Sequence, residues 1–195
     1  MKPVQESGTM GNRRLRIAID MDEVIADAFA AQRLWYQVTH GYTWTDDELK
    51  GRHLGDLAAP EHAEDMQKLL HAGEFFADLT VMPGAKEALK HLSQDFDIFI
   101  TTAAMEYPAS CAPKFQWLQK NFPFISPLNI VFCGHKNILA ADYLIDDNVR
   151  HFRNFQGQGV LFSALHNQNV AWSPRVNNWH EAVSYLSDQL HSQKE

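Results

Sequence analysis

Short apolar runs alternate along this chain with segments of helical periodicity. Leu15-Arg16-Ile17-Ala18-Ile19 is apolar and stops at an acidic cluster, the pattern of a buried strand. From Ala28 the period changes. Ala28, Ala31, Trp35 and Val38 fall at i, i+3, i+7 and i+10, one face of a helix that should stop near Gly41. Thr45-Asp46-Asp47-Glu48 is a capping box, with Thr45 as N-cap and Glu48 three residues on. Pro60 stands where a first-turn proline would. Met66, Leu69 and Leu70 follow it, and Gly73 closes that helix. No strand pattern occurs between residues 28 and 78.

Beyond residue 78 strands return. Pro83-Gly84 is a turn, and Ala85, Ala88, Leu89 and Leu92 form one apolar helix face. Residues 96–101, 129–133, 143–145 and, more weakly, 159–162 read as strands. Pro113 opens a helix carrying Phe115, Trp117 and Leu118. Trp179, Ala182, Val183, Leu186 and Leu190 mark a closing amphipathic helix. Such alternation predicts an α/β fold, a parallel sheet with helices on both faces. The helical stretch 28–78 interrupts it directly after the first strand and is too long for a plain loop, so it reads as a small inserted cap. The expected division is a flexible tail (1–14), a core (15–27 and 79–195) and a helical cap (28–78).

Composition narrows the function classes. The chain has 195 residues and 45% hydrophobic content, which suits one globular core. Its net charge of −7 gives no electrostatic footprint for a nucleic acid polymer or an anionic membrane. An anionic substrate must then be held by local cations, a metal or backbone amides. No run is apolar enough to span a bilayer, and residues 1–16 lack the apolar core of a secretion signal. Cys111 and Cys133, the only two cysteines, make neither a disulfide framework nor a zinc site, so a reducing, cytoplasmic setting is expected. The ten histidines show no metal-ligand spacing and read as solvated helix faces.

Ligands of open parallel sheets sit at the carboxyl ends of the strands. There the sequence puts Asp20 and Asp22, then Thr101 and Thr102, then Lys136, then Asp146 and Asp147. Crowded carboxylates repel unless a hard divalent cation gathers them, and magnesium is the natural occupant. One carboxylate can attack phosphorus and a second, two residues on, can protonate the leaving oxygen. A hydroxyl and a lysine can hold the phosphoryl oxygens. Any one of these residues alone would be read as a helix cap or a solvated polar group. Their order and placement together favour phosphoryl transfer.

This order resembles the haloacid dehalogenase-like phosphohydrolase superfamily, whose fold is Rossmann-like. Its four motifs read here Asp20-Met21-Asp22, Ile100-Thr101-Thr102, Lys136 and Leu144-Ile145-Asp146-Asp147. With Glu74-Phe75-Phe76-Ala77-Asp78-Leu79 and Met82-Pro83-Gly84-Ala85 added, the chain from Leu15 to about Phe155 is similar to the 5′(3′)-deoxyribonucleotidase family. The resemblance implies Asp20 as nucleophile and Asp22 as general acid and base. It implies Thr102, the Ala103 amide and Lys136 as binders of a small phosphorylated substrate, with Thr101 as fallback. Magnesium would be held by Asp20, the backbone carbonyl of Asp22, and Asp147 with Asp146 behind it, or by Asp146 itself. Three positions depart from the family: Glu23 replaces a small residue, and Ala28 and Leu70 stand where stacking aromatics are expected. Phe29, Trp35, Tyr42 and Trp44 could stand in, although Trp35 lies on the apolar stripe.

Other readings remain at this point. A phosphatase for another small phosphomonoester, such as a sugar phosphate, uses the same residues. A catalytically silent phosphate binder would not need Asp22 and Lys136. A receiver-like signalling domain would place the acidic pair first and leave no room for an insert of about 50 residues.

Overall fold

The computed structural model describes residues 13–192. Six strands form one sheet: β1 (Arg16–Asp20), β2 (Asp97–Thr102), β3 (Ile130–Phe132), β4 (Tyr143–Asp146), β5 (Gln158–Phe162) and β6 (Arg175–Val176). Every pairing is parallel and the order is β3-β2-β1-β4-β5-β6. The order reverses between β1 and β4, which opens a crevice at their carboxyl ends.

Alternation along the central strands divides the core. Ile17, Ile19, Ile98, Ile100, Tyr143, Ile145, Val160 and Phe162 join one large apolar cluster. Ala18, Leu144 and Leu161 face the other way, against Phe152 and Phe155. Helices α5 (Ala85–Leu92), α6 (Cys111–Asn121) and α7 (Trp179–Ser192) contribute Leu89, Leu92, Trp117, Leu118, Trp179 and Leu186 to the large cluster. A 3₁₀ turn, Val149–Phe152, helps to cover the smaller one.

The helical insertion follows β1. It contains α1 (Ala28–His40), α2 (Asp46–Leu49), α3 (Leu54–Leu57) and α4 (Pro60–Ala72). Local chemistry sets its ends. Gly41 and Gly73 end α1 and α4 in the left-handed region, and Thr45 with Glu48 forms the complete capping box. The two stems lie side by side. Asp27 N–H donates to Thr80 O (2.9 Å) and Met82 N–H to Ile25 O (2.9 Å). Two buried indoles pin them, Trp179 Nε1 donating to Val24 O (2.9 Å) and Trp117 Nε1 to Leu79 O (2.7 Å).

Several details differ from the sequence pattern. Thr101 and Thr102 lie inside β2 rather than beyond it, because the parallel ladder runs on to pair Asp20 with Thr101 and Thr102 with Phe132. Helix α6 starts at Cys111, two residues before Pro113, since a preceding 3₁₀ turn feeds directly into it. β6 has two residues, too few to leave a periodic signal. On α1 the buried residues are Ala28 and Tyr36, while Val38 is 77% exposed, because the helix turns the Tyr36 edge inward. Of the tail expected over 1–14, residues 1–12 lie outside the described residues. Arg13 pairs with Asp142 (2.6 Å), and Arg14 donates to the carbonyls of Ser93, Asp95 and Phe96.

Candidate active site

The crevice between β1 and β4 gathers the acidic residues of the sequence. Asp20 ends β1 and Asp146 ends β4, and both are buried. Lys136, from a 3₁₀ turn after β3, is buried between them; its Nζ donates to Asp20 Oδ1 and to Asp146 Oδ2 (2.6 Å). The second oxygen of Asp146 accepts from Asn148 N–H (2.9 Å). Both oxygens of Asp146 are therefore engaged, whereas Asp147 next to it contributes to the cavity wall.

The charges do not balance. Burial pushes the Asp20 carboxyl up to about 7, with repulsion from Asp146 and Asp22 adding to it and Lys136 opposing it. Asp146 is pushed up to about 6 by burial and Asp147, again against Lys136. Burial works to lower Lys136, but the two carboxylates outweigh it and hold the ammonium above its ordinary range. One lysine is thus set against three carboxylates. Asp20, Asp146 and Asp147 each bring an oxygen within 4.8 Å of the others. Nearby, Asp22 Oδ1 is buried and has no hydrogen-bond partner. A set of hard oxygen donors with surplus negative charge fits a small divalent cation.

Lys114 was not a candidate in the sequence reading. It is buried on α6, its Nζ paired with Asp22 Oδ2 and donating to Thr102 Oγ1 (3.1 Å), and it sits 4.3 Å from the centre of the Phe76 ring. One signal was available: Lys114 stands three and four residues before Trp117 and Leu118, on the buried stripe of the helix. The two threonines separate by strand alternation. Thr102 meets Lys114, whereas Thr101 borders a small apolar cavity with Ala18, Phe99 and Val131 on the opposite face. Ala103 follows β2 and lines the main cavity.

That cavity, about 610 Å³, lies between the strand ends and the insertion. Its floor includes Asp20, Asp22, Ala103, Lys114 and Asp147. Its far wall carries Gln32, Tyr36, Met66, Gln67, Leu70, Phe76 and Tyr107. The volume falls within the range of small-molecule sites, about 300–1,000 Å³. Ala28 and Leu70 line it as well, but aromatic faces are supplied by Phe29, Tyr36, Phe76 and Tyr107. Of the proposed stand-ins only Phe29 reaches the cavity. Tyr42 and Trp44 stack on each other (4.4 Å), and Trp35 packs edge-on to Tyr36 and His40.

Glu23 occupies the left-handed region at φ 62°, where a small residue was expected. Its carboxylate accepts from Phe29 N–H at the start of α1, beside Asp27, which accepts from Ala30 N–H (2.9 Å). Two carboxylates at the N-terminus of α1 suit the helix dipole there. Burial raises Glu23 well above the ordinary carboxylate range, and Asp147 and Asp27 add to it. At the rim, Arg150 Nη2 pairs with Glu106 (2.6 Å) and its Nε donates to His151 Nε2 (3.1 Å).

Comparison with known proteins places the chain in a family. Residues 13–190 match the family model described as 5′ nucleotidase, deoxy (Pyrimidine), cytosolic type C protein. A Staphylococcus epidermidis protein provisionally named 5′(3′)-deoxyribonucleotidase is 41% identical over 174 residues, covering 89% of this chain and 97% of that protein. The 5′(3′)-deoxyribonucleotidase of Bacillus subtilis is 34% identical over 167 residues, covering 85% and 94%. Among solved structures, a haloacid dehalogenase-like family hydrolase from Streptococcus pneumoniae superposes with a TM-score of 0.61 at 11% identity, covering 89% of this chain and 98% of that one. At that identity the likeness concerns the fold alone.

Proposed function

Because the chain belongs to the 5′(3′)-deoxyribonucleotidase family of haloacid dehalogenase-like hydrolases and is a phosphoric monoester hydrolase, we propose that its substrates are deoxynucleoside monophosphates and that its cation is magnesium. The observation that carries this reading is the meeting of Asp20, Asp22, Lys136 and the Asp146-Asp147 pair beneath a half-open, partly aromatic cavity. We take residues 28–78 as the cap over a core formed by 15–27 and 79–195.

In the proposed reaction Asp20 attacks phosphorus. The bond from phosphorus to the ester oxygen breaks, and Asp22 delivers its proton to the leaving alkoxide. Water then attacks the aspartyl-phosphate and gives its proton back to Asp22, so inorganic phosphate leaves and Asp20 is restored. Lys136 fixes Asp20 and offsets phosphoryl charge; Thr102 and the Ala103 amide bind phosphoryl oxygens. Lys114 holds Asp22 in place through its carboxylate. Asp20, the Asp22 carbonyl and Asp147 would hold magnesium, with Asp146 bonded to Lys136 behind them. When bound, the cation neutralises charge on the carboxylates and on the phosphoryl group. The cap excludes water, and Phe29 and Phe76 of the cap with Tyr107 of the core touch the leaving nucleoside. Cys111 and Cys133 are free thiols, which supports a cytoplasmic setting.

No helix among the described residues is long and apolar enough to cross a membrane. The test of the reading is phosphate release from a panel of deoxynucleoside monophosphates, sugar phosphates and an aryl phosphate, with magnesium, with calcium and after chelation. Preference for deoxynucleotides, loss on chelation and inhibition by calcium are expected. Preference for sugar phosphates would move the substrate class, and full activity after exhaustive chelation would remove the cation.

A further inference from the structure

A three-residue 3₁₀ turn, Leu165–Asn167, touches both the acidic site and the cap. Toward the site, His166 Nε2 lies 3.2 Å from Asp147 Oδ2. Asn167 is buried, and its Nδ2 donates to Asp147 O (2.8 Å) and to Phe162 O (2.8 Å). Its Oδ1 accepts from Ala164 N–H (3.1 Å) and from Arg175 Nη1 (3.0 Å). All four bonds specify one orientation of the amide. Asp147 is therefore approached at the side chain by one residue and hydrogen-bonded at the main chain by the next.

Toward the cap, Gly51 N–H donates to Leu165 O (2.8 Å), and the His53 ring stacks on His166 with centroids 5.0 Å apart and planes 23° apart. The fit is close. Gly51 has φ +72°, and a Cβ there would come within 2.1 Å of the Asn169 side chain. None of these residues carries a role in the chemistry above.

We propose that the Leu165–Asn167 turn is a positioning element that couples seating of the cap, at Gly51 and His53, to presentation of the Asp147 carboxylate. The inference rests on the reading that Asp147 holds the divalent cation. A residue that holds a ligand's carboxylate fixes its orientation, and loss of such a partner typically weakens metal binding 10–100-fold. The coupling must also be reciprocal: a cation bound at Asp147 favours the arrangement of His166 on which His53 stacks.

Two measurements on the full chain test this without recourse to turnover. Magnesium is titrated calorimetrically into wild type, His166→Ala, His166→Gln, His53→Ala and Asp147→Asn. Amide exchange is followed over residues 49–55 with and without magnesium. We expect binding to weaken about tenfold in His166→Ala, to recover in part in His166→Gln, whose amide nitrogen can stand in for Nε2, and to weaken about two- to threefold in His53→Ala. Magnesium should slow exchange at 49–55 in wild type and leave it unchanged in His166→Ala. Wild-type affinity in Asp147→Asn would overturn the metal assignment and the coupling together. Weak binding in Asp147→Asn with wild-type affinity and protection in both histidine variants would overturn the coupling alone. Should His166→Ala fail to fold, His53→Ala decides, because His53 is exposed and its removal opens no core.

Discussion

Asp20→Asn should abolish turnover and, in the absence of a divalent cation, make the fold more stable. Asp20 is 7% exposed and titrates near 7 in the folded protein, through burial first and the nearby carboxylates next, with Lys136 opposing both. In the unfolded chain the same group titrates near about 4. A folded-state value raised above the unfolded one gives a contribution that is fully present below about pH 4 and is lost as pH rises through about 7. At pH 8 the charged carboxylate therefore costs the fold roughly 4 kcal/mol at most. Asparagine carries no charge at any of these pH values. It also forfeits an ionic partner of Lys136, but Lys136 keeps Asp146 at 2.6 Å. A net gain of about 1–3 kcal/mol at pH 8 is expected, shrinking toward pH 5. Urea unfolding in a chelating buffer at both pH values measures it, and phosphate release with magnesium measures turnover. A variant no more stable than wild type at pH 8 would refute the charge argument, and turnover within tenfold of wild type would refute the nucleophile.

Asp22→Asn should slow hydrolysis of alkyl phosphates more than of aryl phosphates, whose leaving groups need less protonation; equal losses in parallel assays would remove its role as acid. Lys114→Met should lower kcat about 100-fold with a much smaller change in KM, because Asp22 and Thr102 lose their shared partner. The same change should cost about 2–3 kcal/mol in urea unfolding, below the usual figure for a broken buried pair because the Asp22 side chain is 31% exposed; unchanged kcat would refute the positioning role. His151 is held down at about 3 by burial first and by Lys136 and Arg150 next, and its Nε2 accepts from Arg150 Nε as only the neutral ring can. Its contribution is present above about pH 6.5 and is lost as pH falls toward 3, so His151→Gln should lose less stability than wild type between pH 7.5 and 5.

The parts of the fold and site that were legible in the sequence depend on contacts close in the chain or on a strict period. Short apolar runs and cap chemistry are set within a few residues, so Gly41, Thr45 with Glu48, Pro60 and Gly73 each stand where the pattern puts them. The acidic residues were legible for another reason: a parallel sheet delivers every strand end to one edge, so a carboxylate after β1 and another after β4 must meet. His166 and Asn167 obey neither rule, and for Lys114 the period gives burial but not the partner. Lys114 meets Asp22 across 92 residues, and Asn167 meets Asp147 from a turn with no periodic signal. The aromatic lining was hidden for a similar reason, since whether Phe76 or Trp35 faces the cavity is settled by how the insertion packs, not by spacing along it.

The hydrogen bonds of the insertion also decide where it can move. Its stems are fixed twice from the core, by the indole of Trp179 on Val24 O and that of Trp117 on Leu79 O, with both rings buried. Releasing either would leave a buried carbonyl unpaired, at about 1–3 kcal/mol, and would expose a large aromatic surface as well. Farther out, the insertion meets the core on two sides. At one edge it does so through a backbone bond at Gly51 and the ring stack of His53 on His166. At the other it does so through Tyr107, which donates to Gln67 (3.2 Å) and meets the His71 ring edge-on, and through Lys114 against the Phe76 ring. These are the weaker contacts, since a typical hydrogen bond contributes only about 0.5–1.5 kcal/mol net. Among these, the Gly51 edge carries the backbone bond that lies beside the Asp147 site. If that edge is loosened, as in His53→Ala, the contacts of His166 and Asn167 with Asp147 stay within the core. Amide exchange at 49–55 should therefore rise while exchange across the Trp179- and Trp117-bonded stems stays slow; equal loss of protection at both would refute fixed stems.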